Sequence, residues 1–489
     1  MAKNIEPIFD LVGRFEEVKR MRSFLQTKQS EFVVVLGRRR VGKTYLIKKV
    51  YENEMAFYIT GIEKFSKAKQ IVNFVEARNK FFPQSINYIT PKNWQQAFTQ
   101  LKQLFGPPQK NKRVIFLDEL PWLVGTSTEF TSVLDHFWNT WAIDNNVILV
   151  ICGSATSWMI TNIINNAGGL HNRATRKINV QPFNLAETET YFKAKNMLMP
   201  KQSIVELYMA LGGIPYYLNE VKPNQTTVQN INYLCFGKNA PLYNEFASLY
   251  KALFKNYNDH ILVIKALAKK WKGLVRQEII DATKLSSGGG LTITLQELED
   301  CNFIHKQPQI NKKLRDPLYR LTDEYSLFYL AFIENHATIS DYWIKKYNTQ
   351  QAKIWNGYAF ETLCIKHIDN IKTALGIAGI YTNECSFFKR ANEDTKGCQI
   401  DILIDRADNV INICEMKYYN GKYQLTAADI KNLQQKQQVF ETTTKTKKQI
   451  FYTLITLNGL QQNKYTPLIN QHFTKDILFT KKPKNLLWL

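Results

Sequence analysis

A glycine-rich segment with a lysine and a threonine carries the strongest chemical signal in the sequence. Residues 37–44 match the Walker A pattern and comprise Gly37, Arg38, Arg39, Arg40, Val41, Gly42, Lys43 and Thr44. The apolar run 32–36 predicts a buried strand before this segment, and residues 45–50 predict a helix after it. In such a loop, backbone N–H groups hold phosphates, Lys43 contacts the β- and γ-phosphates, and Thr44 binds Mg²⁺. The segment therefore predicts binding of a nucleoside triphosphate.

A pair of acidic residues follows a second apolar run. Residues 114–117 are apolar and precede Asp118 and Glu119. Ligands of open α/β sheets bind at the carboxyl ends of the strands, so we expect Asp118 to bind Mg²⁺ and Glu119 to activate the attacking water. A third apolar run, 147–151, leads to Ser154, which is a candidate sensor of the γ-phosphate. An ordinary Gly-Ser turn is the alternative for Ser154.

The tail of the chain contains a second set of residues suited to chemistry on phosphates. Asp401 lies on one strand-like run, and Glu415 and Lys417 lie two residues apart on the next. Strand alternation puts Glu415 and Lys417 on one face, and a hairpin turn at 405–409 brings Asp401 opposite them. Two carboxylates and a lysine can bind Mg²⁺ and activate water against a phosphodiester, with Glu361 as a further ligand. The alternative is a structural ion-pair cluster on the hairpin.

Composition and charge limit the classes of partner. The 489 residues suggest two to four domains, and the formal net charge of +22 favours nucleic acid first and an anionic membrane surface second. The basic residues are spread along the chain, so a compositional drift toward Lys and Asn is the alternative. Charge alone therefore does not establish nucleic-acid binding.

The cysteines and the apolar segments indicate the compartment. Seven scattered cysteines form no Cys-x-x-Cys pair, which argues against a zinc site and a disulfide framework and favours a reducing environment. The first residues lack the apolar core of a signal peptide, and no apolar stretch reaches ~18 residues. We expect a cytoplasmic protein that does not contact a membrane.

The pattern of elements predicts an α/β domain over residues 1–180 and a more helical segment over 181–250, which the resemblance described below makes a helical lid. Strands at 56–59 and 177–180 and a helix at 94–101 complete the predicted parallel sheet and its cover. The ends of this helix are signalled by Pro91 before it and by 106–108 after it.

Residues 251–335 predict a winged-helix domain. Three helices and two strands are expected at 261–269, 275–283, 291–300, 303–306 and 318–321. A turn at 286–290 precedes the third helix, and a basic turn at 311–315 joins the strands. The third helix of such domains enters the major groove, but here it carries Glu297, Glu299 and Asp300, which disfavour an approach to phosphates. DNA reading and intramolecular packing both stay open for it.

Residues 350–489 predict a third domain. A helix over 355–371 buries Phe360, Leu363, Cys364 and His367, and strands follow at 398–404, 410–417 and 449–455.

With both motif sets in view, the chain resembles the archaeal-type ATPase family of the AAA+/STAND P-loop NTPases, which has a C-terminal PD-(D/E)xK nuclease-like domain. The resemblance extends over nearly the whole length. Residues 12–17 are similar to a Gly-Arg-Glu box near the adenine, and 212–218 to a Gly-x-Pro lid element, which implies that Pro215 contacts the nucleotide base. Residues 170–173 precede the last strand, so the resemblance makes Arg173 a sensor or finger candidate. Residues 323–332 resemble the segment that closes the winged helix of this family, and residues 458–460 resemble the family's ending after the last strand. Asp401, Glu415 and Lys417 are all present, and Ile400 replaces the proline of the motif name.

The resemblance implies an α/β fold with a P-loop NTPase parallel sheet, a helical lid, a winged-helix domain and a restriction-endonuclease-like C-terminal domain. It implies an enzyme that hydrolyses ATP with Mg²⁺ and whose nucleotide state controls a nuclease-like effector acting on nucleic acid, DNA more than RNA. A STAND-type assembly switch with a non-catalytic docking domain and a motor acting on DNA are the alternatives. A homo-oligomer is left open.

Overall fold

The computed structural model describes residues 11–125, 127, 129–164, 173–310, 317–391 and 397–480. The expected basic turn 311–315 and residues 170–172 lie outside this part of the chain. The chain divides into two compact units. The first comprises Met1–Pro182 and Leu249–Lys255, and the second comprises Phe183–Ser248 and Asn256–Leu489.

The first unit is built on a five-stranded sheet in the order β2-β3-β4-β1-β5 in which every neighbouring pair is parallel. The strands are β1 (Glu31–Leu36), β2 (Met55–Thr60), β3 (Arg113–Asp118), β4 (Val147–Cys152) and β5 (Arg176–Asn179). Every residue of β1, β3 and β4 is buried, as expected for central strands covered on both faces. The predicted parallel sheet is confirmed.

Helices cover this sheet and complete its core. They are α1 (Phe15–Ser23), α2 (Lys43–Val50), α3 (Lys67–Phe81), α4 (Trp94–Phe105), α5 (Leu120–Val124), α6 (Glu129–Thr140) and α7 (Thr156–Met159). The predicted start of α4 is confirmed, because the Asn93 side chain accepts a hydrogen bond from the Gln96 N–H at 2.9 Å. Its buried Trp94 and Phe98 pack against Phe130 of α6.

The second unit begins with helices and a two-stranded ribbon. The helices are α8 (Leu185–Ala194), α9 (Lys201–Leu211), α10 (Pro215–Asn219), α11 (Thr227–Cys235), α12 (Glu245–Leu253, whose end belongs to the first unit), α13 (Tyr257–Lys269), α14 (Arg276–Thr283) and α15 (Gly289–Asp300). Strands β6 (Ile304–Gln307) and β7 (Leu318–Leu321) then pair antiparallel. The predicted three helices and two strands are confirmed, but α15 includes Gly289 and Gly290, which were expected in the turn.

A second five-stranded sheet follows, in the order β14-β12-β10-β9-β8. Its strands β8–β9–β10 are antiparallel neighbours, whereas β10, β12 and β14 are parallel. The elements are α16 (Glu324–Phe328), α17 (Tyr342–Lys346), α18 (Gln350–Lys366), α19 (Ile368–Ala374), β8 (Thr382–Lys389), β9 (Cys398–Arg406), β10 (Val410–Lys417), β11 (Tyr423–Gln424), α20 (Ala427–Thr444), β12 (Gln449–Thr456), β13 (Leu460–Gln461) and β14 (Gln471–Thr474).

The prediction of a single helix over 355–371 is wrong, because the helix is interrupted at His367, between α18 and α19. The His367 Nδ1 lies 2.9 Å from the Leu363 carbonyl, and its Nε2 accepts a hydrogen bond from the Leu185 N–H at 3.3 Å. The burial predicted for Phe360, Leu363, Cys364 and His367 is confirmed. Within the described residues, no helix has the length and apolar character needed to cross a membrane.

Candidate functional site

The phosphate-binding loop of the first unit connects the end of β1 to the start of α2. Gly42 has φ of 90° and precedes the helix, a conformation that glycine adopts without steric cost. A Cβ on Gly37 would lie 2.4 Å from the Val180 carbonyl oxygen, because the chain after β5 approaches the loop closely. Both glycines are therefore required by the backbone.

Lys43 lies inside this loop. It is buried, and its Nζ donates hydrogen bonds to the carbonyls of Gly37 at 2.6 Å and Arg38 at 3.1 Å. Arg38 is also buried, whereas Arg39 and Arg40 are partly exposed, and Arg40 has φ of 71°. The loop thus encloses one lysine ammonium at the amino end of a helix, which suits an anionic phosphate.

Arg14, from the predicted Gly-Arg-Glu box, forms hydrogen bonds with the phosphate-binding loop and with the segment after β5. Its buried guanidinium donates to the carbonyls of Val41, at 3.0 Å, and of Gln181. The box is therefore attached to the P-loop, and its predicted contact with adenine stays a prediction.

Thr44 and Asp118 form the metal side of the site. The Thr44 hydroxyl donates to Asp118 Oδ2 at 3.0 Å, and the Tyr58 hydroxyl lies 3.3 Å from the same oxygen. The Cys152 thiol donates to Asp118 Oδ1 at 2.7 Å, and burial raises the pKa of Cys152, so the thiol keeps its proton. Hydroxyl and carboxylate oxygens at the sheet edge fit Mg²⁺, which would supply positive charge to the phosphate oxygens.

Glu119 and Ser154 meet beside this pair. Glu119 Oε2 accepts hydrogen bonds from the Ser154 hydroxyl at 2.9 Å and from the Ser154 N–H at 3.1 Å. Glu119 has φ of 48°, and its N–H donates to Asp118 Oδ1 at 3.0 Å. The structure therefore brings the expected base and the expected sensor into direct contact.

The structure does not bring Arg173 to the phosphate-binding loop. β5 is parallel to β1 with Arg176 beside Val33, so Arg173 precedes the amino end of the sheet, whereas Lys43 follows the carboxyl end. The Arg173 side chain is half-exposed, and its Nε lies 3.4 Å from Asp135 of α6. Arg173 thus stands at the edge of the sheet opposite to its own P-loop.

Pro215 lies in the second unit, at the first position of α10. The Gly213 before it is required by a close approach, since a Cβ there would lie 1.8 Å from the Phe183 carbonyl oxygen. The Phe183 N–H donates to the Gly213 carbonyl at 2.7 Å. This element is a tight structural junction, and nucleotide contact by Pro215 stays a prediction.

The tail residues converge as the sequence predicts. The antiparallel register pairs Cys414 with Ile402, so the next pair of residues is Glu415 and Asp401. Lys417 Nζ lies 3.5 Å from Glu415 Oε1, on the same strand. Helix α18 packs on β10 and brings Glu361 to this face. Asp401, Glu415, Lys417 and Glu361 thus belong to one cluster, which we call the carboxylate cluster.

Arg320 of β7 is a member of the carboxylate cluster that the sequence analysis missed. This buried guanidinium donates through Nη2 to Asp401 at 2.8 Å and to Glu361 at 2.9 Å. Gln399 also donates to Asp401, at 2.9 Å. No local pattern marks Arg320, because its partners are 41 and 81 positions away.

One further cation, Lys436, contacts the carboxylate cluster, and Lys417 has a second acidic neighbour. Lys436 Nζ lies 2.7 Å from Glu415 Oε2, and Lys417 also lies 3.4 Å from Asp429. Burial, together with the negative charge of the nearby Asp401, raises the pKa of Glu361 to about 7 against the lowering effect of Arg320. Among the described residues, no three or more His, Cys, Asp or Glu side chains are arranged to hold a metal ion. In this arrangement the carboxylates bind the Arg320 guanidinium and not a metal ion.

Comparison with known proteins agrees with the geometry of the first site. Residues 11–221 match a family described as an ATPase domain predominantly from Archaea. This matched segment contains the Walker A residues and the acidic pair Asp118 and Glu119. An uncharacterised protein of Methanocaldococcus jannaschii is 28% identical over 214 residues, which are 43% of this chain and 44% of that protein. The match thus spans less than half of the relative's length.

Solved structures give weaker likenesses. A Walker-type ATPase of Pyrococcus abyssi has a TM-score of 0.47 and 18% identity over 66% of this chain and 99% of its own. An ORC2 protein of Aeropyrum pernix has a TM-score of 0.39 and 12% identity over 67% and 96%. At TM-scores under 0.5, such likenesses do not establish a shared fold.

Proposed function

We propose that this chain is an ATPase that binds ATP with Mg²⁺ in its first unit and hydrolyses the bond between the β- and γ-phosphates. The observation that carries the proposal is the convergence of Lys43, Thr44, Asp118 and Glu119 at one edge of a parallel sheet, with Thr44 Oγ1 3.0 Å from Asp118. Lys43 would stabilise the charge of the β- and γ-phosphates, and Thr44 and Asp118 would hold Mg²⁺. Glu119 would accept the proton of the attacking water.

Hydrolysis requires Glu119 to bind a water while Ser154 holds its carboxylate. The Ser154 hydroxyl and N–H both donate to one oxygen, Oε2, so the other oxygen of Glu119 is available to a water. Ser154 would thereby orient the base. Arg173 would act only on a nucleotide bound by another copy of the chain, since it lies at the opposite sheet edge from its own P-loop.

We further propose that the nucleotide state controls the second unit, with residues 181–250 as a helical lid, 251–335 as a winged helix and 350–489 as a nuclease-like domain acting on nucleic acid. Support for the last assignment comes from the helix and two strands that bring Glu361, Asp401, Glu415 and Lys417 together. The net charge of +22 also favours a polyanionic partner.

A second candidate is a switch in which the nuclease-like domain docks without cutting. The specific observation in its favour is Arg320, which occupies the space between Asp401 and Glu361. Its guanidinium neutralises the carboxylates that a divalent cation would need. Cleavage therefore requires Arg320 to leave the cluster.

A cleavage assay separates the two candidates. The full chain, Asp401→Ala and Arg320→Lys are incubated with Mg²⁺ or Mn²⁺ and single- or double-stranded DNA and RNA, with and without ATP. If the domain is a nuclease, we expect the wild type to cut only with ATP and Asp401→Ala not to cut. ATP turnover by Asp401→Ala should stay at the wild-type rate, because the substitution removes no group of the ATP site. If no protein cuts any substrate while all turn over ATP, the docking function is correct and the nuclease is excluded.

A further inference from the structure

A cleft in the second unit has no part in the ATPase chemistry. Its volume is about 700 Å³, and it lies between the end of α13, the ribbon β6–β7, helix α18 and strand β8. All of its lining residues belong to the second unit. A volume of roughly 300–1,000 Å³ is typical of sites that hold a ligand.

The lining of the cleft is strongly basic. Its cationic side chains are Lys269, Lys270, Lys272, Lys389 and Arg390. The single carboxylate, Glu278, pairs with Lys270 at 2.8 Å and lies 3.7 Å from Arg390. The structure records no ion pair for Lys269 or Lys272 within the described residues. The cleft therefore has a net positive charge that suits a polyanion.

Aromatic side chains alternate with these cations. Trp271 stands between two lysines, and its ring centroid lies 4.7 Å from that of Tyr358 on α18. Phe388 precedes Lys389, the last residue of β8, and is 39% exposed. Aromatic faces beside cations are the means by which proteins hold unpaired bases and their phosphates.

We propose that this cleft binds a single-stranded segment of nucleic acid, with bases stacked on Trp271, Tyr358 or Phe388 and phosphates held by the lysines. The inference deepens the proposed function and depends on its nucleic-acid partner. A duplex is disfavoured, because its bases are stacked on each other and present no free face. Helix α15, the element that would enter a major groove, carries Glu297 and Asp300 instead of cations.

The cleft leads to the carboxylate cluster. Gln399 lines the cleft, and its Nε2 donates to Asp401 at 2.9 Å. On the opposite wall, the Lys272 carbonyl accepts a hydrogen bond from Arg320 Nε at 3.1 Å, and Arg320 also holds Asp401. A nucleic-acid strand in the cleft would therefore lie beside Gln399 and Lys272, which both contact members of the carboxylate cluster.

Fluorescence anisotropy with labelled oligonucleotides tests the proposal. The full chain is titrated with a dT oligomer, a U oligomer of the same length and a duplex, in EDTA and without nucleotide. The charge variant is Lys269→Ala with Lys272→Ala. The control is Lys422→Ala with Lys431→Ala, which removes the same charge from exposed positions outside the cleft. Phe388→Ala removes a stacking face alone.

We expect both single strands to bind more tightly than the duplex. The charge variant should lose about tenfold in affinity, and its log–log salt slope should fall by about 1.4, since each phosphate contact on a single strand contributes about 0.7. Phe388→Ala should lose at least about fivefold with the slope unchanged. The control should bind like the wild type.

The proposal is overturned if the charge variant binds like its control, if the duplex binds more tightly than the single strands, or if no nucleic acid binds. ATP turnover is measured on the same preparations. If the wild type binds single strands but does not hydrolyse ATP, only the proposed ATPase activity is contradicted. If the wild type hydrolyses ATP but binds no single strand, only the proposed binding of nucleic acid in the cleft is contradicted.

Discussion

Thr44 and Asp118 are separated by 74 positions in the sequence and by 3.0 Å in the structure. Their approach was predictable, because each follows or ends an apolar run and parallel strands present their carboxyl ends at one edge. Ser154 follows the next strand of the sheet and lies at the same edge, where it contacts Glu119. The short spacing of a motif and the direction of a strand together fix where such side chains lie.

Replacement of Lys43 by alanine removes the ammonium that the P-loop encloses. We expect ATP affinity to fall by more than about 100-fold, corresponding to a loss of about 3 kcal/mol for a charge-assisted contact. Isothermal titration calorimetry measures the change. Lys49→Ala, on the same helix beside Glu52, is the control and should bind ATP normally. Normal affinity in Lys43→Ala would exclude the P-loop as the nucleotide site.

Ser154→Ala removes the hydroxyl that donates to Glu119 at 2.9 Å and keeps the backbone N–H donor. A base must be held within hydrogen-bond reach of the water, so we expect ATP turnover to fall about tenfold with ATP affinity unchanged. The measurement is steady-state phosphate release, with the exposed Ser132→Ala as control. A variant with normal turnover would make Ser154 an ordinary turn residue.

Single residues that act across the fold were not predictable. Arg320 contacts Glu361 and Asp401 from a ribbon with no charge motif. Cys152 donates to Asp118 although thiols rarely mark a magnesium site. The position of Arg173 before a strand suggested a nucleotide contact. The direction of that strand places Arg173 at the sheet edge opposite to the P-loop of the same chain, which excludes the contact within one chain. Contacts between distant segments depend on strand order, which periodicity does not reveal.

At the scale of elements, the buried strands were the easiest to predict. β1, β3 and β4 contain the continuous apolar runs 32–36, 114–117 and 147–152, and every residue of the three strands is buried. Strand β8 was missed, because its residues 382–384 are polar and a register shift between Cys385 and Phe387 interrupts its alternation. A strand of this kind is recognised only by its partner, β9.

The break at His367 was missed for a related reason, since the apolar period of α18 continues past it. The helix ends there because the His367 ring bonds to Leu363 and to Leu185, which begins α8. Those bonds need a neutral ring with Nδ1 protonated and Nε2 accepting.

Burial lowers the pKa of His367 to about 4 from its usual 6.5. The folded state therefore keeps the ring neutral while the unfolded chain binds a proton, and this contribution to stability is lost as pH falls from about 6.5 to about 4. The loss should approach about 3 kcal/mol. Urea unfolding of the wild type and of His367→Gln across this range measures it. If the difference between the two proteins did not change with pH, the ring would not titrate as described.

At the scale of the whole molecule, the formal net charge of +22 indicated a polyanionic partner but no surface for it. The sequence offers the third helix, α15, as a candidate surface, whereas the basic side chains with aromatic neighbours line the cleft beside β8. These residues come from 269–273, from α18 and from β8, so only the folded chain brings them together.

The most direct test of the proposed function is ATP hydrolysis by Glu119→Gln, measured together with ATP binding by the same protein. Glutamine keeps the shape of the side chain but cannot accept a proton from water. We predict ATP affinity close to that of the wild type and turnover lower by roughly 10²-fold or more, as for the loss of a general base. Turnover at the wild-type rate in Glu119→Gln would show that another group activates the water and would contradict the account.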